Sequence, residues 1–165
     1  CAMNPCPCGF HGHPKRECTC PEGAAKRYLA RISGPLLDRI DIHIEVPPVD
    51  FDKLSSRVPS ECSADIKKRV NAARRIQQER LKGTGVSCNA KMDAALTKRF
   101  CRPTPEALAL LEEVFEKLDF SARAYDKVLR VSRTIADLEG CESIEASHIA
   151  QAVQYRSLDR KLWRK

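Results

Sequence analysis

The sequence predicts a mixed, mainly helical fold, in which the end of an α/β unit is followed by an all-helical domain. Residues 40–46 (IDIHIEV) alternate apolar and polar side chains, which is the period of a strand. From residue 63 onward the apolar residues instead recur at the spacing of a helix. We therefore expect a first unit over 1–47, a linker over 48–62, a helical domain over 63–156 and a basic tail over 157–165.

The sequence shows no sign of a membrane-spanning segment. No run in the 165 residues approaches the roughly 18 to 20 apolar residues needed to cross a membrane. No basic-then-apolar signal peptide opens the chain, so we expect a cytoplasmic protein. The chain begins at Cys1 without a methionine, and we expect it to be part of a longer protein. Its net charge of +7 is compatible with a nucleic-acid partner.

The first unit combines a loop, a short helix and the strand. Residues 1–23 are rich in Cys, Pro, Gly and His without any regular period, which predicts a loop that needs an external staple. A short helix is predicted over 24–31, followed by a turn at residues 34–35. The strand over 40–46 turns four apolar side chains to one face: Ile40, Ile42, Ile44 and Val46. A single strand leaves its backbone groups unpaired, so we expect its partner strands upstream of Cys1.

The helical domain is predicted to hold four or five helices, of which the first is strongly basic. It covers residues 63–81, and its apolar residues fall at helical spacing: Ile66, Val70, Ala73 and Ile76. Over 63–82, seven Lys or Arg stand against two acidic residues. This face is either an ordinary solvated surface or a contact with the DNA backbone, made by Lys67, Lys68, Arg74 and Arg75. No aromatic residues are interleaved with these charges to stack on bases.

Capping residues delimit the later helices. A short helix is predicted over 93–101, and the next begins at residues 104–106, where threonine is the N-cap and proline the first helical residue. One face of that helix is apolar: Leu108, Leu111, Phe115 and Leu118. Ser121 caps a helix that runs to Glu139 and ends at Gly140. The last helix covers 145–156 and points two residues inward: Ile149 and Val153.

Five of the nine cysteines lie within the first 20 residues, as Cys1 and two Cys-x-Cys pairs. Nine residues separate the two pairs: Cys6 with Cys8, and Cys18 with Cys20. Four thiolates form a closed tetrahedral shell around zinc, which would be structural because no ligand position is left for water. The alternatives are two disulfide bridges or four free thiols, and His11 and His13 are possible substitute ligands.

Three sequence blocks, with the ending SHIAQAVQYR, carry a family resemblance over nearly the whole chain. They are AMNPCPCG at 2–9, GPLLDRID at 34–41 and SARAYDKVLRVSRTIADLEG at 121–140. They resemble the C-terminal part of magnesium-chelatase-like AAA+ ATPases of the ComM or YifB family. The resemblance implies that the first unit is the remnant of an AAA+ α/β core with its zinc loop, and that the helical domain is the AAA+ lid.

The resemblance also implies roles for individual residues in ATP hydrolysis. Asn4 corresponds to sensor 1, which orients the attacking water. Arg39 corresponds to the arginine finger, which reaches the ATP bound by a neighbouring subunit. Arg123 corresponds to the sensor 2 arginine, which contacts nucleotide in its own subunit, and Arg130 is a second candidate two turns further on. A permanently charged, planar guanidinium suits this task, and a finger is worth about 10³ to 10⁵ in rate.

The resemblance implies that the parent protein is a homo-hexameric motor that uses ATP and Mg²⁺ and acts on DNA. The expected activity is that of a helicase or branch-migration factor in natural transformation and recombination. One alternative is a remodeller of proteins or a chelatase-type ATPase subunit, and another is a stand-alone zinc module that binds nucleic acid. The 165 residues contain no G-x-x-x-x-G-K-[ST] pattern, so we expect this chain to be inactive in ATP hydrolysis by itself.

Overall fold

The computed structural model describes residues 1–49, 60–118 and 120–156. Its helices are α1 (Ala24–Leu29), α2 (Gly34–Leu37), α3 (Ser63–Arg80), α4 (Ala94–Phe100), α5 (Pro105–Leu118), α6 (Ala122–Glu139) and α7 (Ala146–Gln154), with a 3₁₀ turn at Asn89–Lys91. Most of the predicted linker and the whole predicted basic tail lie outside the described residues. Within the described ranges, no helix is long and apolar enough to cross a membrane.

The predicted helices of the 63–156 region are confirmed, and their caps are those that the sequence indicated. The Ser121 hydroxyl accepts a hydrogen bond from the backbone N–H of Ala124 at 3.1 Å. Thr104 does the same for Ala107 at 3.2 Å. Gly140 ends α6 in the left-handed conformation, with φ of 72°. The mainly helical fold is therefore confirmed, with α2 replacing the turn that was predicted at residues 34–35.

The strand predicted over 40–46 is wrong for the described part of the chain, where only isolated bridges occur. His43 pairs with Arg156, and Pro103 pairs with Ile144. The expected apolar face is exposed at Ile42, Ile44 and Val46, whereas His43 from the opposite face is buried at 4% exposure. Alternation alone did not produce a strand because a strand needs a neighbour for its backbone groups. Here the neighbour is the end of the helical domain, and it pairs with one residue only.

The core of the helical domain is built around α6. This helix packs against α3, α4, α7 and the 3₁₀ turn, and α5 packs on α7. Its buried apolar residues are Ala124, Val128, Leu129, Ile135 and Ala136. The predicted inward residues of α7, Ile149 and Val153, are both buried. On α5, Leu111 is buried as predicted, but Leu108 at the end of the predicted face is exposed.

Helix α3 packs only at its C-terminal end. Its buried residues are Ala73 and Gln77, while Ile66, Val70 and Ile76, which fall at helical spacing with Ala73, are exposed. All described residues from 60 to 72 are exposed, so the first half of the helix has no packing partner among the described residues. The apolar pattern of α3 is weak because basic residues occupy most of its surface. Only the C-terminal end of the helix, near Arg80, reaches α6.

Candidate metal site and nucleotide-contact residues

The four paired cysteines converge in the N-terminal loop. The Sγ of Cys6 lies 3.4 Å from that of Cys8 and 3.7 Å from that of Cys18, and the Cys8 and Cys18 sulfurs are 3.5 Å apart. With Cys20, all four sulfurs lie within 4.8 Å of one another. A tetrahedral shell with zinc–sulfur bonds of about 2.3 Å places its sulfurs about 3.8 Å apart. The donor set and its spacing therefore fit one zinc ion.

All nine cysteines are free thiols, so the alternative of two disulfide bridges is not adopted. The histidines also stay outside the cluster. His13 Nδ1 accepts the backbone N–H groups of Lys15 and Arg16 at 3.0 Å each, and His11 is exposed. Imidazole thus closes the turn between the two pairs, and thiolates alone supply the candidate ligands.

Little else holds this loop together. Helix α1 buries no residue, and within residues 1–37 only Cys6 and Leu37 are buried apolar residues. Gly9, with φ of 82°, makes the turn after the first pair, where its N–H bonds the Cys6 carbonyl at 3.0 Å. The four thiols shift in opposite directions: a hydrogen bond from the Phe10 backbone lowers the pKa of Cys8 to about 5, whereas burial and the neighbouring sulfurs raise the pKa of Cys20 to about 12. The thiolate form is the one that binds metal.

Arg39 stands on a short, well-bonded stretch of backbone between α2 and residue 43. Its side chain is exposed and makes no ion pair with any carboxylate among the described residues. Its one side-chain hydrogen bond with a described residue is local: Nη1 donates to the Pro35 carbonyl at 3.1 Å. Its own carbonyl oxygen accepts a hydrogen bond from Lys127 Nζ at 2.8 Å. The backbone is therefore anchored to α6 while the guanidinium remains on the surface.

The other two arginine candidates lie on α6 in different surroundings. Arg123 is exposed on the first turn, and the described residues offer its side chain no hydrogen bond or ion pair. Arg130 is half-buried, and its Nη1 donates to the Met92 carbonyl at 2.7 Å. Arg123 is therefore available for a ligand, whereas Arg130 also fastens the loop before α4 to α6. Arg130 is thus less exposed than Arg123 and already donates to a backbone carbonyl.

Asn4 is exposed beside the cysteine loop. Its Nδ2 lies 3.8 Å from the position that a Cβ on Gly9 would occupy, so its amide packs on the turn between Cys8 and the histidines. No strand precedes it among residues 1–3. The four candidate DNA contacts on α3 are exposed: Lys67, Lys68, Arg74 and Arg75.

Sequence reasoning missed a second cluster of metal-ligating residue types, formed by Glu139, Cys141 and His148, whose ligand atoms lie within 4.8 Å of one another. His148 Nδ1 accepts the backbone N–H of Glu145 at 2.9 Å, which places the ring proton on Nε2. That nitrogen faces Glu139 Oε2 at 3.0 Å. The arrangement therefore caps the N-terminus of α7, and a metal at Nε2 would have to displace the proton that Glu139 accepts.

Comparison with known families covers both the N-terminal part and the helical domain of the chain. The description "Magnesium chelatase, subunit ChlI C-terminal" matches residues 60–156, and "Magnesium chelatase, subunit ChlI" matches residues 1–54. The chain belongs to the magnesium chelatase ChlI family. Within this family it is a ComM- and YifB-like protein, and the match supports an AAA+ type of protein.

Relatives of this type occur in several bacteria. The chain is 41% identical to YifB of Escherichia coli K12 and 40% identical to the competence protein ComM of Haemophilus influenzae, each over 162 residues. These matches cover 98% of this chain but 31% of each relative. A protein of Mycobacterium tuberculosis is 32% identical over 155 residues, or 94% of this chain. The chain thus spans about a third of the length of the relatives it matches.

Proposed function

We propose that this chain is the C-terminal part of an ATP-driven AAA+ motor that acts on DNA in branch migration or unwinding. The observation that carries the proposal is the placement of two surface arginines. Arg39 offers an exposed guanidinium from a backbone that is bonded to α6, and the same helix presents Arg123 near its start. The likeness to the competence protein ComM favours transforming DNA as the substrate.

In this proposal the two arginines act on two different nucleotides. Arg39 projects outward and would meet the γ-phosphate of ATP held by the next subunit of a ring, where it stabilises charge in the transition state. Arg123 would contact the nucleotide of its own subunit, and Asn4 would orient the attacking water. Mg²⁺, when bound with ATP, would supply charge neutralisation on the phosphates. The phosphate-binding loop for ATP and Mg²⁺ would lie outside these 165 residues, since they contain no such pattern.

We also propose that the four cysteines hold one structural zinc ion. The support is the set of sulfur distances together with the lack of an apolar core in residues 1–37. Metal binding would supply the folding free energy that packing does not supply there. Because Asn4 packs on the turn of this loop, the metal would also hold the candidate sensor 1 residue in place.

The decisive experiment uses a longer protein that contains both this chain and its phosphate-binding loop. Arg39→Ala should abolish ATP hydrolysis and leave nucleotide binding unchanged, because the finger acts only in the transition state. Arg39→Lys should rescue poorly, since an ammonium lacks the planar fork. Arg102→Ala, which removes an exposed arginine outside α2 and α6, is the matched control and should retain activity.

Mixing separates action between subunits from action within one. An Arg39→Ala subunit and a subunit defective in the phosphate-binding loop each spare one half of a shared site. Mixed rings should therefore recover part of the activity. If activity does not return at any mixing ratio, in assemblies of confirmed size, Arg39 is structural. ATPase activity that responds to a protein partner and never to DNA would favour the chelatase-type remodeller.

A further inference from the structure

Lys127 joins α6 to the segment that carries Arg39. Its Nζ donates to the main-chain carbonyl of Arg39 at 2.8 Å and forms an ion pair with Asp41. The lysine side chain is only 11% exposed, whereas Asp41 is 54% exposed. An ammonium withdrawn from water needs its partners, so the position of the Arg39 backbone is strongly specified from the side of α6.

Two further contacts hold the residues on either side of Arg39. The Ser121 hydroxyl donates to Asp38 Oδ1 at 3.0 Å, and Arg156 Nη1 donates to the Ile40 carbonyl at 3.1 Å. The Arg156 side chain is 1% exposed, so its charge depends on the acceptors around it, which include Asp38. The helical domain therefore contacts four consecutive residues of the Arg39 segment, 38–41.

These contacts lie next to Arg123, the other arginine candidate. Arg123 precedes Lys127 by four residues on α6, so the two side chains are one turn apart on the same face of the helix. Ser121, which bonds Asp38, is the N-cap of that helix. Any tilt of α6 that follows a contact between Arg123 and phosphate would thus be passed to the backbone of Arg39.

We propose that Lys127 is a positioning residue that couples Arg123 to Arg39. Through Lys127, the nucleotide bound in one subunit would adjust the position of the Arg39 side chain that this subunit presents to the next. This inference rests on the proposed ATPase function. Its physical basis is the sensitivity of a transition-state contact to placement, where about 1 Å of error costs about 10²-fold in rate.

The coupling predicts a specific kinetic signature in the longer protein. Lys127→Met keeps the length of the side chain and removes both contacts, so kcat should fall about 10- to 100-fold. The KM for ATP should change by no more than about 2-fold, since Lys127 touches no nucleotide in this scheme. Lys127→Arg, which still donates to the carbonyl, should restore most of kcat. Lys98→Met removes an exposed lysine on α4 and should leave kcat unchanged.

Asp41→Lys provides a second route to the same state. It repels the Lys127 ammonium from an exposed position, so it should lower kcat without unfolding α6, even if Lys127→Met fails to fold. An unchanged kcat in both Lys127→Met and Asp41→Lys would overturn the inference. A parallel rise in KM would overturn it as well, because a defect in nucleotide binding is not a defect in positioning.

Hydrogen exchange on the 165-residue chain tests the contact without any ATPase. Lys127→Met should speed amide exchange at residues 36–43 and leave α6 protected, and Lys98→Met should change neither region. If Lys127→Met speeds exchange at 36–43 but the longer protein shows no ATPase activity, the contacts of Lys127 with the Arg39 segment are confirmed and the proposed function is refuted. If Lys127→Met leaves exchange at 36–43 unchanged while ATPase activity of the longer protein still depends on Arg39, the positioning role of Lys127 is refuted and the proposed function stands.

Discussion

Arg80 and Asp137 form a doubly hydrogen-bonded ion pair between α3 and α6, in which Arg80 Nη1 lies 3.0 Å from Asp137 Oδ2. The Asp137 side chain is fully buried, and it also accepts from Asn89 Nδ2 at 2.8 Å and from Arg133 Nε at 3.1 Å. One carboxylate therefore joins α3, the 3₁₀ turn and two turns of α6. Arg133 continues the network to the carbonyls of Cys141 and Glu142.

Asp137→Asn should be among the most destabilising single changes in the helical domain. It leaves Arg80 and Arg133 without their shared anion in a buried place, which costs about 3 to 5 kcal/mol when one partner of such a group is removed. Urea unfolding of the 165-residue chain, followed by circular dichroism, measures the loss. Glu113→Gln breaks an exposed i,i+4 pair with Lys117 and should leave the midpoint nearly unchanged. Equal midpoints for both variants would show that the buried network adds nothing.

The sequence was sufficient for the local features of the fold. Ser121, Thr104 and Gly140 mark helix ends because capping depends on residues close to one another in the chain. The candidate metal site could also be predicted, because two Cys-x-Cys pairs stand in one loop that has almost no apolar residues of its own. Their convergence is what the structure adds.

The sequence was insufficient where a contact joins distant residues. The contact of Lys127 with Arg39 spans 88 positions and that of Arg156 with Ile40 spans 116 positions, and neither pair shows any local signal. The pattern over 40–46 has the period of a strand, but pairing of its backbone decides the outcome. His43 is buried where it meets Tyr155 and Arg156, which follow α7, and no periodicity in its own segment could indicate that contact.

Removal of metal should loosen the N-terminal loop and spare the helical domain. We expect about one zinc per chain by elemental analysis. A strong chelator should remove the zinc and leave four thiols that react with a thiol reagent. It should also make residues 1–23 sensitive to proteolysis. Far-UV circular dichroism should change little, because the helices of the 63–156 region have their own core.

Single substitutions sharpen the metal test. Cys6→Ser should lose zinc, because Cys6 is the buried member of the cluster. Cys62→Ser should keep it, because Cys62 is exposed and donates to Asp65 at 3.1 Å, far from the cluster in sequence. A chain that holds no zinc when purified under reducing conditions would refute the metal assignment.

The thiols of Cys88 and Cys101 should differ in reactivity. Burial raises the pKa of Cys88, but hydrogen bonds from Arg74 and the nearby backbone outweigh it and bring the pKa below its ordinary value. Burial raises the pKa of Cys101 to about 12. Since the thiolate is the nucleophile, iodoacetamide at neutral pH should label Cys88 and spare Cys101, as measured by peptide mass spectrometry.

Arg74 should account for part of that reactivity. Arg74→Gln should slow the labelling of Cys88 at neutral pH, whereas Arg75→Gln, at the exposed next position, should not. The difference should vanish as the pH rises above the ordinary thiol pKa of about 8.5, where the thiolate forms without help. Equal rates in both variants at neutral pH would contradict the contact between Arg74 and Cys88.

The exposed first half of α3 should make the largest contribution to DNA binding. Its basic residues Lys67 and Lys68 stand beside exposed Ile66 and Val70, on a part of the helix that packs against no other described element. Each lysine that neutralises a phosphate releases counterions, which adds about 0.9 to the slope of log K against log salt. Lys67→Gln with Lys68→Gln should therefore reduce that slope by up to about 2 and weaken binding alike for unrelated sequences.

A control of equal charge decides between a local contact and a general effect of net charge. Lys98→Gln with Arg99→Gln removes two positive charges from exposed positions on α4. If α3 lies on the phosphate backbone, only the α3 variant lowers the slope, because counterion release depends on which charges sit at the phosphates. The measurement is a fluorescence anisotropy titration of the longer protein at several salt concentrations, with and without ATP. Equal slopes in the two variants would mean that α3 is a solvated surface and that DNA is held elsewhere.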